Sequence, residues 1–246
     1  MAKRIAIIGA GCSGLTSVKS CLEEGLEPMC FEMSSDIGGL WNFSEKVPTE
    51  GDRMHASVYK SCSINTSKEM MAFSDFPIPA DFPPFMPHHK VLEYFRLYAK
   101  HFKLLDRIQF DTKVISVEQT DCHGRTGCWT VCTQNMLTQE TTCQVFDGVM
   151  VCSGHHRYPH RPLLEGMSRF KGKVLHSSEY KNQRVLEDKK VLVVGGYFML
   201  EFISKTIANQ LDSCLTNENK KSLTIRCFTR SRPGQWTMWL SLRWCC

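Results

Sequence analysis

The stretch "RIAIIGAGCSGLTSVKSCLEEGLEPMCFE", Arg4 to Glu32, decides the fold. Residues 4 to 9 form an apolar run typical of a strand, and residues 13 to 25 have the spacing of an amphipathic helix that ends at Gly25. The run "PMCFE" then has the composition of a second strand. Strand, helix and strand in this order form a βαβ unit, which joins parallel strands. The opening therefore predicts an α/β fold with a parallel sheet.

The turn between the first strand and the helix reads "GAGCSG", Gly9 to Gly14. In a dinucleotide fingerprint the first glycine permits a tight turn, the second lets the backbone approach a pyrophosphate, and the third lets the helix pack on the strand. The helix N-terminus adds amides and a positive dipole for the phosphates. Glu32 follows at the spacing of the acid that accepts ribose hydroxyls. We predict a nucleotide site here; the alternative is a glycine-rich turn used only for packing.

Composition excludes several classes of protein. The 246 residues are 42% hydrophobic and 22% charged, an ordinary balance for a chain with one sizeable domain or two small ones. Glycines interrupt the first apolar run too early for a signal peptide, and no stretch is long enough for a membrane span. The net charge of +5 lies in residues 203 to 246. Because no nucleic-acid motif accompanies it, we expect a solvated face rather than a nucleic-acid partner, with an anionic partner as the alternative.

The 13 cysteines are an odd number without CxxC spacing. Cys132 and Cys152 lie inside apolar runs, which predicts reduced, buried thiols in a cytosol-facing protein and no disulfide framework. Neither the cysteines nor the nine histidines have the spacing of metal ligands, so we predict no metal site.

The middle of the chain divides into three parts. Residues 73 to 87 carry five of the ten prolines and four phenylalanines, which predicts an extended segment packed over the domain. A helix is expected from about His89 to Phe102. Residues 112 to 151 alternate in short runs between polar turns, as in a small antiparallel meander that returns to the main sheet.

Several longer motifs resemble the flavin-containing monooxygenases. "FKGKVLHSSEY" matches the identifying sequence FxGxxxHxxxY/F of that family through Phe170, Gly172, His176 and Tyr180. "DIGGLW", "INTSKEMMAFSDFPIPADFP" and "FDGVMVCSGHH" are also similar to the family's sequences. The resemblance runs from Met1 to about Val194. It implies that these four residues shape the connection between two nucleotide domains.

The resemblance implies a fold and an activity. Members of the family are two-dinucleotide-binding-domain flavoproteins: a first fingerprint binds FAD, NADPH from a second site reduces it, and O2 then forms a flavin hydroperoxide that oxygenates amines and sulfides. The expected organisation is a Rossmann-like FAD-binding domain with a small β-meander at 1–155, an incomplete NADPH-binding domain at 156–236, and a divergent tail at 237–246.

The resemblance also assigns site residues. Asn65 is the predicted catalytic residue, because its amide can donate to the flavin and accept from the nicotinamide carboxamide; the alternative is a turn-forming asparagine. The cofactor-binding residues implied for FAD and NADP are Gly9, Ala10, Gly11, Cys12, Ser13, Gly14, Glu32, Leu40, Trp41, Ile64, Asn65, Thr66, Gly195 and Arg230.

The second fingerprint departs from the family. The strand "KKVLVVG" leads to Gly195, but Tyr197 and Leu200 stand where the family has the second and third glycines. A tyrosine ring occupies the path of a pyrophosphate, and a leucine separates helix from strand. Arg230 and Arg232 still match the segment that receives the 2'-phosphate. We therefore predict slow reduction by NADPH, and the alternative to an active monooxygenase is a truncated, catalytically impaired FAD-binding remnant or regulatory isoform.

The resemblance ends after Trp236. We expect a truncated or alternatively spliced product that lacks the family's apolar C-terminal anchor. The family's location is the cytosolic face of the endoplasmic reticulum, and a cytoplasmic location is the alternative for this chain. "RWCC" at the end raises the further alternative of an acylated terminus.

Overall fold

The computed structural model describes residues 2–45, 58–155, 161–164, 166–186, 191–194, 224–232 and 235–243. The chain forms two compact units, Met1–Lys181 and Asn182–Cys246. This division falls after Lys181, whereas the sequence boundaries lie at 155 and 236; those domain boundaries stay predictions.

The first unit contains both strands and helices. The strands of the described residues are β1 (Arg4–Ile8), β2 (Glu27–Phe31), β3 (Ile108–Gln109), β4 (Thr112–Gln119), β5 (Trp129–Asn135), β6 (Thr141–Phe146), β7 (Gly148–Val151), β8 (Val191–Val194), β9 (Thr224–Arg232) and β10 (Gln235–Arg243). The α-helices of the same residues are α1 (Cys12–Glu23), α2 (Lys68–Met71), α3 (His88–His101) and α4 (His123–Thr126).

The main sheet is parallel and has the strand order β3-β2-β1-β7. Ile7 of β1 lies opposite Cys30 of β2 on one side and opposite Met150 of β7 on the other. Because α1 connects β1 to β2, the predicted βαβ unit is confirmed. The carboxyl ends of β1, β2 and β7 therefore meet at one edge, where open parallel sheets bind their ligands.

One face of this sheet is covered by α1, α3 and the proline-rich segment 73–87. Tyr94 and Tyr98 of α3 are among the largest fully buried side chains, and burial of a large apolar side chain contributes about 1.5–3 kcal/mol. The Tyr94 hydroxyl accepts from the Phe73 amide at 2.9 Å and donates to the Phe76 carbonyl at 2.5 Å. The predicted packing of this segment over the domain is confirmed. Its backbone makes hydrogen bonds to a side chain of α3 in place of the hydrogen bonds of a regular helix or strand.

The other face is covered by the antiparallel sheet β4-β5-β6, the predicted meander. Its second, smaller core joins Ala6 and Phe31 of the main sheet to Val131 and Phe146 of the meander. The rings of Phe31 and Phe146 meet edge to face, with centroids 5.9 Å apart. The chain then enters β7, which returns it to the main sheet as the sequence predicted.

The prediction for Cys132 was wrong. Cys132 forms a disulfide with Cys143, because the β5–β6 register places them directly opposite with Cα atoms 4.1 Å apart. Two apolar runs do not reveal the register in which they pair, so the sequence could not show this neighbour. Cys152 is a free thiol but only partly buried, with its Sγ 3.5 Å from the Ser17 hydroxyl.

The second unit contains the sheet β8-β9-β10. The β8 strand agrees with the predicted strand before Gly195, and it pairs in parallel with β9, which contains Arg230. β10 runs antiparallel to β9 and continues past Trp236 to Arg243. The predicted second loop, Gly195 to Leu200, lies outside the described residues.

Candidate functional site

The loop between β1 and α1 lies at the carboxyl edge of the main sheet. Gly9 follows β1 with φ +100°, a conformation that favours glycine. Its amide donates to the Phe31 carbonyl at the end of β2, at 2.8 Å. The turn predicted from "GAGCSG" is therefore fixed where two parallel strands end together.

Gly9 and Gly14 are required by the chain's own packing. A Cβ at Gly9 would lie 2.7 Å from the Cys152 carbonyl oxygen after β7. A Cβ at Gly14 would overlap the Gly9 carbonyl oxygen, because α1 lies directly on the turn. These two glycines allow the close helix–strand contact that the sequence pattern predicts.

Gly11 is different. Its φ is −76° and ψ −167°, an extended conformation open to any residue. The nearest heavy atom that its Cβ would meet is Gly39 Cα, at 3.8 Å. The chain's own atoms therefore do not require glycine at position 11. A ligand that approaches the backbone here does require it, so the loop fits a bound pyrophosphate.

The motif "DIGGLW" lies against this loop. Gly38 and Gly39 have left-handed φ values of +107° and +50°. The Gly38 amide donates to the Ala10 carbonyl at 3.1 Å. A Cβ at Gly39 would lie 3.2 Å from Gly11 Cα, so a side chain at Gly39 would crowd the same space. Two sequence-distant glycine motifs thus form one cradle with bare backbone on both sides.

The first turn of α1 offers unpaired amides to this cradle. Gly11 is the N-cap residue, and no side chain caps the helix. Within the described residues, the first amide that bonds back to the chain is that of Leu15, which donates to the Gly11 carbonyl at 3.0 Å. The amides of Cys12, Ser13 and Gly14 remain available, and the helix dipole favours a negative charge beside them.

Glu32 ties the first motif to Ser34, whose hydroxyl also reaches the Asp36 carbonyl at the start of the second motif. Its carboxylate is buried, with the residue 8% exposed. One oxygen accepts the Ala10 amide at 2.7 Å, and the other accepts the Ser34 amide at 2.9 Å and the Ser34 hydroxyl at 2.7 Å. A carboxylate has about four acceptor positions, so one remains for a ribose hydroxyl. The predicted ligand residue therefore also holds the loop in shape.

Two further residues at the site were not predicted from the sequence. Asp36 accepts the Ile37 amide at 2.8 Å, and its other oxygen accepts from Arg96 of α3 at 2.5 Å. Arg96 lies 60 residues away along the chain, so no local pattern could identify it. The sequence predicted that Arg96 lies on a helix, but not that it pairs with Asp36.

A buried thiol lies under the loop. Cys30 of β2 donates through its Sγ to the Gly9 carbonyl at 3.6 Å. Burial raises the pKa of Cys30 to about 12, and the nearby Glu32 and Cys152 add to the shift. The thiol therefore stays protonated and acts as a weak donor that supports the turn.

The remaining predicted residues are placed unequally. Leu40 is 37% exposed, and Trp41 packs partly buried against the main core. Ile64 is a core residue, so its side chain faces the interior. Its backbone amide donates to the Met86 carbonyl at 2.9 Å. Asn65 and Thr66 are exposed, and within the described residues the Asn65 amide group makes no hydrogen bond. The Asn65 side chain is thus available to a ligand.

The motif from Phe170 to Tyr180 builds local structure. His176 Nδ1 accepts the Ser178 amide at 3.2 Å, and Glu179 accepts the His176 amide at 2.6 Å, which together cap a short 3₁₀ turn. Tyr180 is buried beside Tyr59, with ring centroids 5.5 Å apart. These contacts agree with a structural role rather than a chemical one.

The described residues contain neither a cluster of metal ligands nor a membrane-spanning helix. No group of three or more His, Cys, Asp or Glu side chains in that part of the chain is arranged to hold a metal ion. None of its helices has the length and apolar character to cross a bilayer.

Comparison with known proteins gives a consistent result. The sequence model of the FMO-like family, described as flavin-binding monooxygenase-like, matches residues 2–238. The chain is 55% identical over 195 residues to flavin-containing monooxygenase 5 of Rattus norvegicus, which covers 78% of this chain and 36% of the relative. It is 48% identical over 240 residues to dimethylaniline monooxygenase [N-oxide-forming] 2 of Oryctolagus cuniculus, which covers 97% of this chain and 41% of the relative.

A solved structure supports the fold. S-allyl-L-cysteine S-oxygenase from Allium sativum superposes with a TM-score of 0.77 at 29% identity, over 85% of this chain and 49% of that one.

The chain spans about two fifths of the length of the two curated relatives above. The resemblance predicted from the motifs and the predicted α/β fold are confirmed. The family match covers nearly the whole sequence, and the chain belongs to the flavin-binding monooxygenase-like family.

Proposed function

We propose that the chain binds FAD with its pyrophosphate in the cradle of Gly11 and Gly39. The observation that supports this most directly is Gly11, a glycine that the chain's own packing does not require. The free amides of the first turn of α1 and the positive end of its dipole would neutralise the pyrophosphate. Gly9 and Gly14 would hold that turn in place.

The other contacts follow from the same placement. Glu32 would accept a ribose hydroxyl with its remaining acceptor position, while its existing bonds fix the loop. Cys12 and Ser13 would donate their free amides to the phosphates, and Ala10 would hold the loop beside them through its own bonds to Glu32 and Gly38. Leu40, Trp41 and Thr66 would lie along the cofactor, and Ile64 would reach a nucleotide only through its carbonyl because its side chain is in the core.

The proposed reaction is an FAD- and NADPH-dependent monooxygenation. FAD would supply the redox chemistry that activates O2 for transfer of one oxygen atom to a soft nucleophile. The names of two similar proteins mention an N-oxide product and an S-oxygenase, so we propose an amine or a sulfide as the substrate class. The exposed Asn65 would orient the cofactors, because its amide both donates and accepts.

The NADP site is the weaker half of the proposal. Gly195 would begin the second nucleotide turn after β8, and Arg230 of β9 would hold the 2'-phosphate. Tyr197 and Leu200 replace the glycines that allow backbone approach, which removes charge-assisted bonds of about 1.5–3 kcal/mol each. Losing two such bonds weakens binding by roughly a hundredfold or more. We therefore propose that FAD binding is intact and reduction by NADPH is slow.

One experiment separates these claims. The purified chain should show a flavin spectrum, directly or after reconstitution with FAD, and anaerobic NADPH should bleach it slowly. A folded chain that stays colourless after reconstitution would contradict the FAD site. Bleaching as fast as in a full-length relative would contradict the slow-reduction claim alone.

A matched variant tests the second loop. The double substitution Tyr197→Gly and Leu200→Gly restores the fingerprint and should raise the anaerobic reduction rate at low NADPH by about tenfold or more. The FAD content should not change, because the first cradle is untouched. An unchanged reduction rate in a folded, flavin-loaded variant would show that the loop is not the obstacle.

For location, we propose the cytosolic face of the endoplasmic reticulum, as in the family, with weak attachment. The seven basic residues of 203 to 246 are dispersed, whereas firm attachment to anionic lipid takes clusters of about 4–8 such residues. Salt should therefore release the chain from microsomes. A requirement for detergent would contradict weak attachment.

A further inference from the structure

The loop that joins β4 to β5 carries two cysteines, Cys122 and Cys128, one on each side of a single helical turn. The Thr120 amide donates to the Cys128 carbonyl at 3.3 Å and closes the loop. Within the loop, α4 forms a single turn. Gly127 ends this turn with φ +75°, and its amide donates a hydrogen bond to the His123 carbonyl at 2.7 Å. The loop is therefore a small, ordered structure.

Cys122 is the exposed thiol of this loop. Its Sγ lies 3.5 Å from the Thr120 hydroxyl and 3.6 Å from the Thr126 hydroxyl. These two hydrogen bonds lower the pKa of Cys122, with Thr120 the larger contributor, against smaller opposing effects of desolvation and Asp121. Each hydroxyl also lies within donor reach of a backbone carbonyl, Thr120 of Cys128 at 3.2 Å and Thr126 of Cys122 at 3.1 Å. A hydroxyl that turns its one proton to the sulfur instead stabilises a thiolate, and the thiolate is the reactive form of cysteine.

Cys128 contacts one of these two threonines, Thr126. Its thiol donates to the Thr126 carbonyl at 3.9 Å, and its amide donates to the Thr126 hydroxyl at 3.3 Å. The Cys128 carbonyl is held by His123 Nδ1 at 2.7 Å. Thr126 therefore contacts both sulfur atoms, one through its hydroxyl and one through its carbonyl.

Other free cysteines of the described residues lack this combination. Cys21 and Cys30 are buried. Burial raises the pKa of Cys62, and desolvation by the surrounding chain raises that of Cys12. Cys122 alone in this part of the chain joins exposure, hydroxyl donors and a second thiol in its own loop.

We propose that Cys122 and Cys128 form an oxidisable dithiol that reacts with low-molecular-weight disulfides. The Cys122 thiolate attacks one sulfur of the disulfide, which forms a mixed disulfide and releases one thiolate. The Cys128 thiolate then attacks the Cys122 sulfur, forms the Cys122–Cys128 bond and releases the second thiolate. Two electrons pass from the protein to the disulfide, and the two protons lost by the cysteines go to the two released thiols.

The test uses oxidised glutathione and the full-length chain. After timed incubation, remaining thiols are alkylated and the protein is digested with trypsin without reduction. Trypsin separates Cys122, in Val114–Arg125, from Cys128, in the peptide that begins at Thr126. Further cleavage after Trp129 isolates Cys128 from Cys132. The expected product is a disulfide between the two peptides.

Two variants trap the steps. Cys128→Ser should stop the reaction with one glutathionyl group on Cys122, and Cys122→Ser should leave Cys128 alkylated. Thr126→Val removes one hydroxyl contact of the Cys122 sulfur and should slow the first step, because it removes a group that can stabilise the thiolate. The Cys12 thiol, whose pKa is raised by burial, is the internal control and should react more slowly than Cys122.

The proposal is overturned if Cys12 reacts as fast as Cys122. It is also overturned if folded Cys128→Ser does not accumulate the mixed disulfide, or if the wild-type chain stops at that stage. Circular dichroism of each variant checks that the meander has folded. The FAD site takes no part in this chemistry, so flavin content should not change.

Discussion

The two sides of the β1–α1 loop carry the same residue for different reasons. On the inner side, Gly9 and Gly14 face the strand ends, and a Cβ at either position would collide with backbone of the chain itself. On the outer side, Gly11 faces Gly39, and its Cβ would meet nothing closer than 3.8 Å. One fingerprint thus combines two glycines that the fold requires with one that the chain's own packing does not require.

This difference separates stability from binding within six residues. Inner-side substitutions should lower the free energy of unfolding, and outer-side substitutions should lower cofactor affinity at nearly constant stability. The sequence pattern predicts a separate role for each of the three glycines, and the contacts agree in that Gly9 and Gly14 are crowded by the chain itself whereas Gly11 is not.

The largest effect on stability is expected for Gly14→Ala. Its Cβ would overlap the Gly9 carbonyl oxygen, and backbone atoms on both sides must shift. We expect a loss of about 3 kcal/mol, at the upper end of the range for overpacking, measured by urea unfolding. The control is Gly124→Ala, where a Cβ meets no atom within 4 Å and the change should stay within about 0.5 kcal/mol. If the two substitutions lowered the free energy of unfolding equally, glycine would not be specially required at position 14.

Glu32→Gln should have a smaller effect that involves both sides. The carboxylate accepts three hydrogen bonds from Ala10 and Ser34. An amide of the same shape turns one acceptor into a donor facing N–H or O–H groups, which costs about 2 kcal/mol for the unsatisfied buried group. Both urea stability and FAD affinity should fall. Unchanged stability would mean that Glu32 does not hold the loop.

Acid provides the smallest perturbation, and it acts away from the loop, at Glu179. Burial alone would raise the pKa of this carboxyl, but the His176 amide and the Arg161 guanidinium outweigh it, so the pKa is lowered. A carboxyl with a lowered folded pKa stabilises the fold above its ordinary pKa of about 4.3, and this stabilisation is lost as the pH falls through the folded value.

Urea unfolding of the wild type and of Glu179→Gln, at neutral pH and at about pH 3.5, measures this stabilisation by Glu179. The variant should be less stable by under about 1 kcal/mol at neutral pH, because the Arg161 pair is partly exposed. The gap should narrow in acid, and flavin content should be the same in both. A gap that stays constant with pH would contradict the assignment.

The sequence predicted much of the fold because local signals and the sheet agree here. The apolar runs of β1 and β2, the glycine at the end of α1 and the prolines of 73–87 each act over a few residues, and each prediction was confirmed. The Asp36–Arg96 pair, the Cys132–Cys143 disulfide and the bond from Ala10 to Glu32 depend on which distant residues the fold brings together. Pattern reasoning has no access to that register.

The candidate site was predicted to a similar extent. The first glycine motif was identified from its spacing and the second from the family resemblance, and the structure shows that they share one cradle. The sequence did not show that Ile64 is a core residue, since an apolar residue before a polar pair reads equally as a contact. The ligand roles of the predicted residues stay predictions, as do those of Gly195 and Arg230.

The most direct test of the two-sided loop is a double measurement on Gly11→Val. Urea stability should fall by only about 1 kcal/mol, the cost of a poorer N-cap residue, while FAD affinity should fall by roughly a hundredfold or more. Gly14→Ala, measured alongside, should lose more stability than Gly11→Val. If Gly11→Val binds FAD as the wild type does, or unfolds as readily as Gly14→Ala, then Gly11 does not serve a ligand.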